Sequence, residues 1–302
     1  MSTKYAALAL ALFAACGPSD RVRPGGGSNG DGTDAGNNGG NNGSGQDGCS
    51  AAAMFVYTVD ENNTFSKFDP SSKTFTDLGT LSCPAGFGAT PFSMGVDRNA
   101  IAWVLYSDGE LFRVDTTANL ACTATGWHSQ NGLTQFGMGF STDTAGGTTD
   151  TLFVAGGTDV STGTTATLAK LDTSAFTAQT VGTVSGWPEL TGNSNAELWG
   201  WFPSDANGTT TPSVQKLDKT TGSAITTYML PTLKGMPEAW AFAFWGGDYW
   251  IFLAKGSELA TTVYQIDGTN GSIKGMTPTN TRMIVGAGVS TCAPVVIGRT
   301  EN

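Results

Sequence analysis

A five-residue pattern, apolar–any–(Lys/Arg/Gln)–apolar–Asp, recurs five times along this chain. It reads FSKFD ending at Asp69, LFRVD at Asp115, LAKLD at Asp172, VQKLD at Asp218 and VYQID at Asp267, at spacings of 46, 57, 46 and 49 residues. Each copy alternates and then runs into turn formers, as in DPSSKTF and DKTTGSA, which is the signature of a strand entering a hairpin. Upstream of each lies a β-rich run: MFVYTVD, IAWVLYS, TLFVAGG, LWGWFPS and YWIFLA. Earlier still comes a run in which large and small residues alternate: FSMGV (92–96), FGMGF (136–140), WAFAF (240–244) and VGAGV (285–289). The fourth unit is less regular, and ELTGNSN from Glu189 is its candidate. A four-stranded unit of roughly 45–50 residues repeated around a ring is a propeller blade. Small residues on the innermost strand let neighbouring blades approach near the axis.

The pattern therefore predicts an all-β chain with a single five-bladed β-propeller over residues 49–302. The first unit opens at its second strand, and the chain ends with a spare inner strand, IVGAGVST. That C-terminal strand is expected to complete the N-terminal blade, closing the ring and removing open sheet edges. Composition agrees: 42 glycines and many threonines favour strands and turns over helices. A net charge of −10 repels phosphate backbones, so nucleic acid is not an expected partner.

The first residues carry a different message. Lys4 precedes YAALALALFAA (5–15), an apolar run of 11 residues. A membrane-spanning helix needs about 20, so the run matches the apolar core of a signal peptide over residues 1–15. The FAAC that follows resembles the lipobox of bacterial lipoproteins, with Phe13 where Leu is usual. The resemblance implies a lipidated Cys16 that attaches the chain to a membrane. Gly17 in place of Asp points, by the same resemblance, to the outer membrane, facing the periplasm or the cell surface. A plain secretory signal with an incidental cysteine is the alternative. Residues 17–48 include 12 Gly and 5 Asn and only Val22 and Ala35 as apolar residues. Residues 16–48 thus read as a lipidated cysteine plus a disordered tether, spanning roughly 30 Å on average.

With Cys16 set aside, Cys49, Cys83, Cys122 and Cys292 allow three pairings. An exported chain favours oxidation; reduced, buried thiols are the alternative. Cys49 stands just before the first blade's second strand and Cys292 just after its spare inner strand. Topology thus favours a Cys49–Cys292 closure staple. Cys83, expected to end the outer strand of blade one, and Cys122, in that of blade two, form the remaining pair.

The segments DENNTFSKFDP, PFSMGVDRNAIAWVLYSDGELFRVD, AFAFWGGDYW and GAGVSTCAP resemble uncharacterised surface lipoproteins of myxobacteria, over residues 49–302. The resemblance implies an outer-membrane or cell-surface address and transfers no catalytic residues.

Catalytic chemistry is sparse. His128, in the loop GWHSQNG, is the only histidine, so no His-based metal cluster is available and any Ser–His–Asp triad must use it. No CxxC, phosphate-binding glycine loop or HExxH motif occurs, and the aspartate-rich turns miss the EF-hand spacing. No metal or cofactor is expected. Glycoside hydrolysis needs two carboxyls about 5–9 Å apart. Asp97, Asp143, Glu189 and Asp248 lie near inner strands, but the three aspartates sit in turn sequences. Only Glu189, after Trp187 and Pro188, fits a channel mouth. The five repeated aspartates are expected to hold turns. Trp103, Trp199, Trp201, Trp240, Trp245 and Trp250 fall in predicted strands and are expected between blades. Trp127, His128, Trp187 and Glu189 are the candidate ligand contacts. The expected function is non-enzymatic binding of a glycan, envelope component or protein partner. The alternatives are a carboxylate-dependent glycoside hydrolase or lyase, and a purely structural surface protein.

Overall fold

The computed structural model describes residues 48–159 and 164–296. The signal segment, Cys16 and the tether up to residue 47 lie outside them. Twenty strands form five four-stranded antiparallel sheets, the blades of a five-bladed β-propeller. Blade 1 runs, from axis to rim, β20 (Ile284–Gly288), β1 (Val56–Asp60), β2 (Thr64–Asp69) and β3 (Thr74–Thr80). Blade 2 holds β4 (Pro91–Val96), β5 (Ile101–Tyr106), β6 (Leu111–Asp115) and β7 (Ala121–Ala124). Blade 3 holds β8 (Gln135–Thr142), β9 (Asp150–Gly157), β10 (Thr165–Leu171) and β11 (Ala178–Ser185). Blade 4 holds β12 (Glu189–Gly192), β13 (Leu198–Phe202), β14 (Ser213–Leu217) and β15 (Ala224–Met229). Blade 5 holds β16 (Pro237–Trp245), β17 (Asp248–Lys255), β18 (Thr262–Asp267) and β19 (Ile273–Pro278). Helix is confined, among the described residues, to two short 3-10 turns. None of it is long and apolar enough to cross a membrane.

Each second strand is pressed between neighbouring blades on both faces, so β1 and β13 are buried at every position. That is why these strands read as unbroken apolar runs rather than alternating ones. Aromatic side chains fill the gaps between blades. Phe68 of blade 1 lies 5.4 Å from both Trp250 and Phe252 of blade 5, edge to face. Trp103, Trp199, Trp201 and Trp250 are buried as expected, while Trp240 and Trp245 are half-buried. Inner strands meet in the order β20, β4, β8, β12, β16 and back to β20. Small residues permit this: a Cβ on Gly139 would come within 2.6 Å of the Leu190 carbonyl oxygen of the next blade.

The ring closes as the sequence implies. β20 pairs antiparallel with β1, placing Gly288 opposite Tyr57. Cys49 and Cys292 form a disulfide with Cα atoms 5.9 Å apart, and Ser290 donates to the Ala53 carbonyl at 2.8 Å beside it. Cys83 and Cys122 form the second disulfide, Cα atoms 5.2 Å apart. Cys83 stands three residues beyond β3 rather than at its end.

The five repeated aspartates serve one purpose. Asp69, Asp115, Asp172, Asp218 and Asp267 each accept the backbone N–H of the Ser or Thr two residues on, at 2.8–2.9 Å, and also its hydroxyl. These donors hold all five carboxyls below the usual aspartate range. Each blade thus repeats one Asx turn between its third and fourth strands.

Candidate functional site

Antiparallel blades sort their connections onto two faces. Loops between second and third strands, and the segments joining one blade to the next, share the upper face. The turns between first and second strands, and the five Asx turns, share the lower face. Cys49 belongs to the lower side: Ser50 N–H bonds the carbonyl of Arg98, in the turn between β4 and β5.

On the upper face a cavity of about 520 Å³ opens where blades 3, 4 and 5 converge, a size suited to a small ligand. Its walls come from Trp187 on the blade 3–4 connection, Phe202 at the end of β13, and Met236 and Trp240 at the start of blade 5. Polar groups face it from Ser204, Gln215 and Glu238. The loop after β13 is tied down by its own bonds. Asp205 accepts the Thr210 N–H at 3.4 Å and both the N–H and hydroxyl of Thr209, while Thr210 Oγ1 accepts from Asp205 N–H at 2.7 Å. Those donors draw the Asp205 carboxyl below its usual range. Ser204 Oγ bridges from this loop to Gly235, accepting its N–H at 3.3 Å. Gly208, at φ +67°, lies against the backbone of Gly235 and Met236 with no room for a Cβ. The cavity is therefore framed by a braced loop on one side and a strand on the other.

Glu238 owes its position to a β-bulge. Along β16 Pro237 pairs with Lys255 and Ala239 with Ala254, leaving Glu238 as the extra residue. It is exposed, and its carboxylate has no hydrogen-bond or ion-pair partner among the described residues. Lys255 runs its stem over Gly235, and no Lys or Arg is among the residues lining the cavity.

The four candidate contacts separate. Trp127 is drawn inward, 3% exposed, with its ring edge to face on Phe136 at 5.5 Å. Its loop position in sequence does not translate into a loop tip in space. His128, next to it, is exposed and its carbonyl accepts from Gln130. Trp187 does line the cavity, but at 8% exposure it is a wall packed over Gly157 rather than an open platform. Glu189 is not at a channel mouth. It reaches from the inner strand of blade 4 past blade 3 to blade 2, where Ser93 Oγ donates to it at 2.8 Å, and the Met138 N–H also donates. Gly137 makes the room, since a Cβ there would meet the Pro188 carbonyl and the Cα of Glu189. Complete burial pushes the Glu189 carboxyl well above the usual range, outweighing those two donors.

The other carboxylates near inner strands are occupied. Asp97 accepts the N–H groups of Asn99 and Ile101 and the Trp103 indole, as a turn-holder should. Asp143 instead accepts the Thr151 hydroxyl, and Asp248 pairs with Lys274 at 2.9 Å and Gln265 at 2.7 Å. On the lower face Arg98 is spent on Gly147, Asp150 and Thr291, which knits blades 1, 2 and 3 together. Glu238 and Trp240 were missed as contacts by sequence reasoning. The available signal was a repeated tetrapeptide: GWPE at 186–189 and GMPE at 235–238.

No protein-family model matches this chain, and no curated protein matches it. Among solved structures, the nidogen/laminin complex is similar at TM-score 0.46 and 10% identity, over 80% of this chain and 99% of that one. The mitotic checkpoint complex is similar at TM-score 0.40 and 12% identity, over 76% of this chain. This chain spans 65% of the length of that one, just under two thirds. A Bacteroides caccae protein of unknown function is similar at TM-score 0.38 and 12% identity, over 75% of this chain and 73% of that one. Likenesses this faint say nothing about ligand or partner.

Proposed function

We propose that this chain is a non-enzymatic glycan-binding propeller, lipid-anchored at Cys16 to the outer membrane and presenting the upper cavity as its binding site. One observation carries the reading: a braced cavity of about 520 Å³ whose aromatic and short polar side chains converge from three blades. A pyranose has apolar C–H faces and a rim of hydroxyls, and such walls match both. The two disulfides accord with an oxidising compartment outside the cytoplasm.

The hydrolase alternative needs a second free carboxylate facing Glu238. Asp205, the other acid of the cavity, already accepts from Thr209 and Thr210, and Glu189 is sealed in the axis. A protein partner is favoured by a separate observation, two exposed apolar tips on the same face, Phe87 and the 90% exposed Leu259.

A thermal-shift screen of the full-length protein against purified oligosaccharides tests the proposal. A bound sugar at about 100 times its dissociation constant stabilises the fold by about 2.7 kcal/mol. Trp240→Ala should abolish the shift, measured against the variant's own unliganded melting temperature. Shifts that survive Trp240→Ala would place binding elsewhere, and no shift with any sugar would favour the protein partner.

A further inference from the structure

We propose that Glu238 makes the upper cavity selective for glycans carrying free, protonated amino groups, such as β-1,4-linked glucosamine, over their N-acetylated or neutral counterparts. This rests on the glycan-binding reading of the same cavity and names the chemical class of its ligand.

Three observations meet at this residue. The bulge in β16 makes Glu238 the unpaired residue of the strand, and bulges re-aim side chains at binding sites. Of the two acids lining the cavity, Asp205 is consumed by its own loop while Glu238 has no partner among the described residues. Two residues on, Trp240 lines the same cavity, half-buried. A carboxylate beside an indole is the setting in which an ammonium gains from both ion pairing and the ring quadrupole. No basic side chain lines the cavity, so a uronic acid or a phosphorylated sugar meets only repulsion there. A net charge of −10 also raises the local concentration of cationic ligands.

Calorimetric titration of the full-length protein with four tetramers tests this: glucosamine, N-acetylglucosamine, cellotetraose and tetralysine. The glucosamine tetramer is expected to bind roughly tenfold tighter than the other two sugars, from one exposed ion pair plus a cation–π contact. Glu238→Gln should bring the affinities for the three sugars together and leave the melting temperature unchanged. Raising the salt concentration should narrow the preference in the wild type alone.

Equal binding of all three sugars, unaffected by Glu238→Gln, would overturn amino selectivity while leaving the glycan-binding reading intact. Equal weakening of all three sugars by Glu238→Gln would make the residue a positioning element and overturn selectivity too. Tetralysine binding tighter than the glucosamine tetramer would replace the amino glycan with a basic peptide. Failure of every sugar to bind would remove the glycan reading itself.

Discussion

Two junctions of this ring share a local sequence, and their glutamates meet opposite fates. GWPE at 186–189 leads into blade 4 and GMPE at 235–238 leads into blade 5. In the first, β12 pairs with β13 without interruption, Glu189 opposite Trp201, and the glutamate turns toward the axis. In the second, the bulge adds one residue to β16 and turns Glu238 out to the cavity. Glu189 lies three residues from the end of β12, deep along the axis, whereas Glu238 lies seven residues from the end of β16, at the upper rim. Glu189 became an axial pin across three blades, and Glu238 a free carboxylate on the rim of the cavity. A motif of four residues therefore does not fix how deep along its strand a side chain lies, which the pairing register decides.

The enclosure that buries Glu189 depends on ring closure, so removing it gives the largest expected effect. Replacing Cys49 and Cys292 together by Ser frees a separation of 243 residues and should cost about 4–5 kcal/mol. The same change at Cys83 and Cys122, 39 residues apart, should cost about 3–4 kcal/mol. Urea unfolding ranks the two, and equal losses would contradict the dependence on loop length.

Truncating the glutamates themselves sharpens the contrast. Glu189→Ala strands the Ser93 hydroxyl and the Met138 N–H in a dry interior and leaves a void, for a loss of about 3–4 kcal/mol. Glu238→Ala removes no contact and should stay within about 0.5 kcal/mol. Similar losses at both positions, measured by denaturant midpoint, would contradict the assigned registers.

Protonation separates the pair more gently. The folded state holds Glu189 protonated above the unfolded glutamate value of about 4.3, so within that window the native protein binds the extra proton. Its stability then falls as pH rises from about 4.3 toward the raised folded value. Glu189→Gln should flatten that slope above about pH 4.3. The turn aspartates, with lowered values, lose their contribution only as pH falls below about 3.9, outside the window. An unchanged slope in Glu189→Gln would mean that the carboxyl is not the titrating group.

Much of this architecture was legible before any coordinates. The Asp-terminated repeat marks the third strand of every blade, because each Asp accepts the backbone N–H two residues on, and a Ser or Thr there adds its hydroxyl. Four of the five inner strands announce themselves by alternating large and small residues, which blade contact at the axis requires. The closure disulfide followed from where the permuted blade begins and ends. Trp127 misled because a tryptophan in a loop was read as a loop tip, whereas the connection folds it onto Phe136. Glu189 was expected at a channel mouth and not as a buried pin, since its partners Ser93 and Met138 lie 96 and 51 residues away in sequence. The bulge at Glu238 left no local trace, because one added residue changes the pairing across strands and not the composition along one.

The proposed ligand site is the upper cavity between Trp187, Trp240 and Glu238. A crystal structure of the protein soaked with the glucosamine tetramer tests it most directly. A sugar ring is expected against Trp240 with its amino group within hydrogen-bonding distance of the Glu238 carboxylate. Density for the sugar on the lower face, or on the outer strands with the cavity empty, would contradict it.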